Sequence, residues 1–138
     1  MQWCNIEPRL VRDLWPQVQG HIRRGMKRGY GDTFTEDGTL KALEDGRMQM
    51  LGLQDDDAKM ICSIILGLET RDKGPVLMVL MVAGKWIDEE IAKAEEIIVD
   101  HAHSLGAHKI ETISRLGNVK RLKDRGWKSK AVVMEWSL

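Results

Sequence analysis

Two stretches of the chain repeat apolar residues at the spacing of a single helix face. The earlier stretch predicts an amphipathic helix, bent or restarted at Pro16, whose apolar positions are Leu10, Val11, Leu14, Trp15, Val18 and Ile22. The later stretch predicts a long helix that ends at Gly106, with the apolar positions Ile87, Ile91, Ala94, Ile98, Ala102 and Leu105. Between them, Thr35 has the side chain of an N-cap and predicts a brief helix that ends at Gly46.

The remaining apolar residues fall in short runs that predict strands. In chain order these runs are QWCNI, RMQMLGLQ, KMICSIILGLE, VLMVLMVAG, HKIETISRL and WKSKAVVMEWSL. The fourth run is apolar on both faces, which is typical of a central buried strand. The polar sequence DDDA between the second and third runs predicts a hairpin turn.

The order of these elements predicts the fold class. The second, third and fourth strands follow one another directly and predict an antiparallel meander. The long helix between the fourth and fifth strands requires a right-handed crossover, which makes those two strands parallel. We therefore expect one α/β domain of the α+β type over residues 1–138, with a mixed sheet flanked by helices.

The composition of the chain argues against several classes of binding partner. The chain has 21 basic and 21 acidic residues, and this balance gives no general attraction to nucleic acid or to an anionic membrane, so neither partner is expected. No apolar run reaches the roughly 20 residues of a membrane-spanning helix. Cys4 and Cys62 match no zinc spacing. His101 and His103 are two residues apart on one helix and point in different directions, so no metal site is expected.

The five tryptophans divide into two groups. Trp15, Trp127 and Trp136 fall on apolar positions and are expected in the core. Trp3 and Trp86 lie near element ends, where a tryptophan can instead anchor an interface.

The segment GNVKRLKDRGW, residues 117–127, predicts a short basic helix. Asn118 offers a side-chain oxygen for an N-cap, and Val119 and Leu122 give a small apolar seam. Gly126 suits the left-handed turn that ends a helix, and Trp127 begins the last apolar run. The basic residues lie toward the C-terminal end of the helix, where its dipole favours them, and are expected to form a solvated face.

With this segment in place, the chain resembles the GNAT superfamily of acetyl-CoA-dependent N-acyltransferases over essentially its whole length. The resemblance implies a mixed, mostly antiparallel sheet whose parallel pair is splayed at one end, with the short helix over the splay. Three landmarks in order, WPQV at 15–18, GRMQ at 46–49 and GW at 126–127, also resemble small GNAT-like proteins of tailed bacteriophages.

The cofactor loop differs from that of the family. Members of the family hold the pyrophosphate of CoA on a basic, glycine-rich loop at a helix N-terminus. This chain has AGKWIDEE at that place, in which only Gly84 and Lys85 suit a phosphate. The three carboxylates that follow, Asp88, Glu89 and Glu90, are expected to repel a polyanion.

The usual catalytic acid of the family is a tyrosine four residues before the late glycine. Leu122 occupies that position here, and the only tyrosine, Tyr30, lies in an early loop. The resemblance and its departures together imply a diverged, non-catalytic protein of tailed-phage type. Such a protein would act as an assembly or interaction module in the host cytoplasm or the virion, with a phage structural protein or a second copy as its partner. No cofactor is then expected, and affinity for acetyl-CoA should be no better than ~1 mM.

The alternative is an active acetyl-CoA-dependent N-acetyltransferase with a non-standard cofactor loop. In that case Gly84, Lys85 and Asn118 would contact the cofactor, and Glu69, at the end of a strand, would be the general base. An ordinary surface carboxylate is the other interpretation of Glu69. Binding and turnover of acetyl-CoA separate the two functions.

Overall fold

The computed structural model describes residues 1–28 and 32–138, so Tyr30 lies outside the described residues. The strands are β1 (Gln2–Ile6), β2 (Met48–Gln54), β3 (Met60–Arg71), β4 (Gly74–Gly84) and β5 (Lys109–Thr112). The helices are α1 (Val11–Met26), α2 (Glu36–Glu44), α3 (Asp88–Ser104) and α4 (Val119–Asp124). This order follows the predicted one as far as α4.

The five strands form one sheet in the order β1-β2-β3-β4-β5. Neighbours from β1 to β4 are antiparallel, whereas β4 and β5 are parallel and are joined by the α3 crossover. A parallel pair needs such a crossover because the chain must return to the starting edge before the second strand begins. The predicted mixed, mostly antiparallel sheet is confirmed.

Helices cover both faces of the sheet, and each face has its own apolar core. On the face covered by α1 and α2, here the α1 face, the buried residues are Ile6, Val11, Trp15, Val18, Ile22, Met26, Leu43, Met50, Met60, Ile65, Met81 and Ala83. On the opposite face, here the α3 face, they are Leu51, Ile64, Leu66, Leu77, Val79, Ile91, Ala94, Ile98 and Ala102. Because β3 and β4 contribute to both cores, they form the centre of the molecule.

The helices follow the apolar periodicity of the sequence. The buried positions of α3 are Glu90, Ile91, Ala94, Ile98 and Ala102. Helix α1 runs through Pro16 as one helix and does not restart there. Pro16 is exposed, so water can bond the carbonyl oxygen that its missing N–H leaves free. The Thr35 hydroxyl accepts a hydrogen bond from the N–H of Gly38 at 3.1 Å, which confirms the predicted N-cap of α2.

The last predicted strand does not form. Residues 127–138 contain no strand, and Trp136, expected in the core, is 90% exposed. The run WKSKAVVMEWSL has the residue types of a strand, but strand propensity is realised only where a neighbouring strand supplies backbone and side-chain partners. The predictions of this strand and of a buried Trp136 are therefore wrong.

The other tryptophans pack as parts of the two cores. Trp15 is buried on the α1 face, and Trp127 is half-buried against the α3-face core. Directly before Trp127, Gly126 has a φ of +97°, the left-handed turn that the sequence predicts. Trp3 and Trp86 are half-buried at the border of the α3-face core.

Candidate functional site

A bulge in β4 determines the shape of the candidate site. On β3, Ile65 pairs with Met81. The next residue, Leu66, pairs with Val79, which leaves Leu80 as an extra residue of β4. Leu80 and Met81 consequently pack on the same side of the sheet, the α1 face. A bulge of this kind bends and twists the strand that carries it.

Strands β4 and β5 separate at the level of this bulge. Their pairing covers only Val76–Val79 and Lys109–Thr112. At its end the Thr112 hydroxyl donates a hydrogen bond to the carbonyl oxygen of Val79 at 2.9 Å. Beyond this point β4 continues to Gly84 while the chain leaves β5 toward α4. The two strands form a V that opens toward the end of β4.

A cleft of about 620 Å³ fills the V, a volume in the range of small-molecule sites. Both α1 and α3 contribute to its walls, and its apolar lining includes Ile64, Val79, Leu80, Met81, Val82, Ile91, Ala94 and Ile98. Because β4 has left β5 beyond Val79, its backbone toward Gly84 can offer N–H and C=O groups to a ligand in the cleft.

Gly84 ends β4 in a conformation that only glycine adopts without strain. Its φ is +103°, and an added Cβ would lie 2.4 Å from the carbonyl oxygen of Ile61 on β3. That same oxygen accepts the N–H of Lys85 at 2.8 Å. The backbone N–H of Lys85 is therefore already bonded, whereas its side chain reaches the cleft.

The carboxylates after this loop are turned away from the cleft. The Asp88 carboxylate accepts the indole N–H of Trp86 at 2.6 Å. Glu90 is buried at the α3 surface, where its carboxylate pairs with Lys93 at 3.0 Å. Neither these two residues nor Glu89 belongs to the described lining of the cleft. The three carboxylates therefore do not line the cleft, and two of them have partners at the start of α3, whereas their expected repulsion of a polyanion stays a prediction.

The arginines divide sharply between the cleft and the rest of the molecule. Six lie away from the cleft and each has a carboxylate partner: Arg9, Arg12, Arg23, Arg47, Arg71 and Arg125. Four line the cleft, and none of them has an ion pair within the described residues: Arg24, Arg28, Arg115 and Arg121. Lys59 and Lys85 add two further cations to the lining. Glu95 is the one carboxylate in the described lining, and it is ion-paired with Arg125.

The mouth of the cleft is bridged by an aromatic contact. The guanidinium of Arg121 on α4 lies 5.0 Å from the ring centroid of Trp86, in the loop between β4 and α3. This cation–π contact joins the two sides of the V. Trp127 also contributes to the lining. An aromatic ring and a cation are thus held together where a ligand would enter.

His21 on α1 lines the same cleft and was not singled out in the sequence. Its Nδ1 atom is buried and has no hydrogen-bond partner among the described residues. Burial lowers the pKa of His21, and the nearby charges of Arg24 and Lys59 lower it further. The available sequence signal was the spacing of His21 and Arg24, which places both on one flank of α1.

The structure brings together three of the four residues predicted for the site. Gly84, Lys85 and Asn118 line the cleft, whereas Glu69 does not. Glu69 pairs with Arg71 at 3.0 Å near the far end of β3, and this hydrogen bond lowers its pKa.

The short helix α4 differs from its prediction in how it begins. Asn118 belongs to a 3₁₀ turn, Leu116–Asn118, that leads directly into α4, and its side chain does not cap the helix. The N-cap prediction is wrong because Asn118 has a helical φ of −97° and ψ of −6°, whereas a capping residue needs an extended backbone to bring its side-chain oxygen to the first N–H groups of the helix. Leu122, at the position of the family's tyrosine, lines the cleft with an apolar side chain.

Within residues 1–28 and 32–138, no group of three or more histidine, cysteine, aspartate or glutamate side chains is placed to hold a metal ion. In the same residues, no helix combines the length and the apolar character that crossing a bilayer requires.

The chain superposes on solved acetyltransferase structures along its whole length. A predicted acetyltransferase with acetyl-CoA from Clostridium acetobutylicum has a TM-score of 0.72 at 9% sequence identity, covering 99% of this chain and 95% of that chain. Glucosamine-6-phosphate N-acetyltransferase from Arabidopsis thaliana has a TM-score of 0.67 at 14% identity, covering 99% and 97%. Ribosomal-protein-alanine N-acetyltransferase from Brucella melitensis biovar Abortus has a TM-score of 0.63 at 15% identity, covering 97% and 100%.

These similarities are similarities of fold. No protein-family model and no curated protein sequence matches the chain. At identities of 9% to 15%, the superpositions show that the chain has the fold of these N-acetyltransferases, and the predicted GNAT fold is confirmed.

Proposed function

We propose that the cleft binds acetyl-CoA or a related acyl-CoA and that the chain transfers the acyl group to an amine. One observation carries the proposal: the cleft beside the open part of β4 is lined by cations that lack carboxylate partners within the described residues. CoA carries several negative phosphate charges, and the cations on the α3 and α4 side of the cleft, Lys85 and Arg121, are suited to bind them.

The residues of the cleft suggest how such a ligand is held. The arm of CoA contains amide groups, which match the free N–H and C=O groups of β4 between the bulge and Gly84. Its phosphates fit the mouth of the cleft, where Lys85 and Arg121 lie and the N-terminus of α3 adds a favourable dipole. The carboxylates of α3 that would oppose binding are turned elsewhere.

The transfer itself would be a simple displacement. The amine nitrogen attacks the thioester carbonyl carbon, a C–N bond forms and the C–S bond breaks, and the thiolate takes the proton that the nitrogen loses. The described cleft lining has no tyrosine and no unpaired carboxylate to move this proton, and His21, whose Nδ1 atom has no partner among the described residues, is the imidazole that lies in it. This chain's residues would therefore act mainly by orientation and approximation, with His21 as the group that could take the proton.

Calorimetric titration of the protein with acetyl-CoA and with free CoA tests the binding step. We expect saturable micromolar binding that weakens roughly tenfold, about 1.4 kcal/mol, in Arg121→Gln. Arg47→Gln is the matched control, since Arg47 is ion-paired with Asp45 and lies away from the cleft. Absence of saturable binding at millimolar ligand would overturn the proposal.

A second candidate is the diverged, non-catalytic protein of tailed-phage type, an assembly or interaction module of the host cytoplasm or the virion. It is favoured by Leu122 at the position of the family's catalytic tyrosine. The exposed apolar residues of the C-terminal segment also favour it, since they offer contacts to a phage structural protein or a second copy: Val132, Val133, Met134, Trp136 and Leu138. Release of free thiol from acetyl-CoA with amine acceptors would exclude this candidate, whereas co-purification with phage particles without turnover would establish it.

A further inference from the structure

Part of the basic lining is not used by the proposed acyl-CoA site. Arg24 projects from α1, Arg28 lies two residues beyond the end of that helix, and Lys59 precedes β3. We call these three residues the α1-side cations. They come from other elements than the remaining cations Lys85, which follows β4, and Arg121, which lies on α4. The cleft therefore has basic groups on two of its sides.

Arg24 and Lys59 lie near His21 at the end of β4, and Arg28 lines the same cleft. The charges of Arg24 and Lys59 both act on His21, and the Nδ1 atom of His21 lies 3.1 Å from the position of an added Cβ on Gly84. Nearby, an added Cβ on Gly25 would lie 3.0 Å from the sulfur of Met81 on β4. The absence of a side chain at residue 25 thus lets α1 approach β4 closely, with its basic flank along the cleft.

Like charges that line one cleft repel each other unless a carboxylate or a ligand lies between them. The neighbouring Arg23 shows the usual solution, since it pairs with Glu36 of α2 at 3.0 Å. Arg24, on the same helix as Arg23, and Arg28, two residues beyond its end, have no ion pair within the described part of the chain. This unrelieved repulsion favours binding of an anion from outside the chain.

We propose that Arg24, Arg28 and Lys59 form a second anion-binding site, which takes the carboxylate or phosphate group of the molecule that receives the acyl chain. This inference rests on the proposed function, because it assigns the α3 and α4 side of the cleft to the acyl-CoA. The acceptor is then an amine that also carries a negative charge, held by that charge on the α1 face while its nitrogen reaches the thioester.

The site is tested on protein saturated with CoA, so that the acyl-CoA position is already filled. Inorganic phosphate and succinate serve as probes, and they separate a phosphate-bearing from a carboxylate-bearing acceptor. We expect one of them to bind saturably, and to bind at least tenfold more weakly to the double variant Arg24→Gln/Arg28→Gln. Arg23→Gln is the matched control, because it removes a neighbouring arginine of the same helix that does not line the cleft.

The affinity for CoA itself separates the two proposals. We expect the double variant to bind CoA within about twofold of the parent protein. A large loss of CoA binding would overturn the inference by assigning the α1-side cations to the phosphates of CoA. Phosphate and succinate binding that is absent, or that is unchanged in the double variant, would overturn it as well. If the parent protein does not bind CoA, the proposed function fails, and the same anion titrations on the free protein decide whether the second site exists.

Discussion

Gly84 shows how a single backbone position shapes the mouth of the cleft. Its positive φ turns the chain out of β4, and the carbonyl oxygen of Ile61 occupies the space that a side chain would need. The N–H of Lys85 can then bond the same oxygen, which fixes the loop before α3. A side chain at residue 84 would push β3 and β4 apart where the cleft begins.

Gly84→Ala should therefore lower the free energy of unfolding by about 2–3 kcal/mol, since it adds a backbone clash to an unfavourable φ. Gly46→Ala is the matched control: its φ is +76°, but nothing lies within 4 Å of an added Cβ, so we expect a loss of about 1 kcal/mol. Urea unfolding measures both. Equal losses would show that the contact with Ile61 is unimportant.

The charged residues show what a sequence cannot predict at this scale. Gly84 and Lys85 line the cleft, as their place at the end of β4 in the resemblance implies, and their contact with a cofactor stays a prediction. The partners of Asp88 and Glu90 are local, since Trp86 lies two residues before Asp88 and Lys93 three residues after Glu90, but a composition of charges does not say which partner each carboxylate takes. A charge in the sequence does not reveal whether it faces the ligand.

At the scale of elements, the apolar periodicity predicted those features that form within one segment of the chain, such as a helix face or a helix cap. Four residues of the predicted apolar stripe of α3, Ile91, Ala94, Ile98 and Ala102, are buried, whereas Leu105 at its end is exposed. The Thr35 cap of α2 forms as its side chain predicts. The final strand failed because a strand needs a neighbour, and β5 forms only four residues of strand at the sheet edge. The sequence therefore predicted the helices and central strands well and the C-terminal segment poorly.

An ion-pair cluster joins β3 to β5 across the edge of the sheet. Arg71 pairs with Glu111 at 2.7 Å and with Glu69 at 3.0 Å, and Lys109 also pairs with Glu111, at 2.8 Å. The hydrogen bonds from Arg71 and Lys109 lower the pKa of Glu111 to about 2. Two strands that are not neighbours in the sheet are thereby connected.

This cluster predicts a loss of stability in acid. The pKa of Glu111 is lower in the folded chain than its ordinary value of 4.5, so its contribution is present above that pH and is lost as pH falls toward 2. The free energy of unfolding of the parent should exceed that of Glu111→Gln at pH 6, and the difference should disappear near pH 2. Glu96→Gln, at an exposed position on α3, should show no such window. A difference for Glu111→Gln that is constant from pH 6 to pH 2 would contradict the assignment.

At the scale of the whole molecule, the cleft arises from elements that are distant in sequence. The bulge at Leu80 depends on the register with β3, and the opening depends on where β5 stops pairing. The arginines without a carboxylate partner in the described residues come from α1 and the residues just after it, from the segment after β5 and from α4. No local pattern contains these relations, which is why the sequence predicted the fold but not the basic lining of the cleft, and its expectation that no cofactor binds stays a prediction.

The short pairing between β4 and β5 has a consequence for hydrogen exchange. Since β5 is held to the sheet by only four residues at its edge, it can open without disturbing the longer pairing of β3 with β4. We expect the amide protons of Ile110–Thr112 to exchange with solvent much faster than those of Ile64–Leu66, and mass spectrometry of deuterated protein measures both. Equal protection of the two strands in the free protein would contradict this view.

A ligand that contacts both strands of the V would hold β5 against the sheet. Saturating CoA should therefore slow exchange in β5 and leave exchange in β3 unchanged. Part of the binding energy is then used to order β5, and the affinity measured for any ligand of the cleft includes that cost.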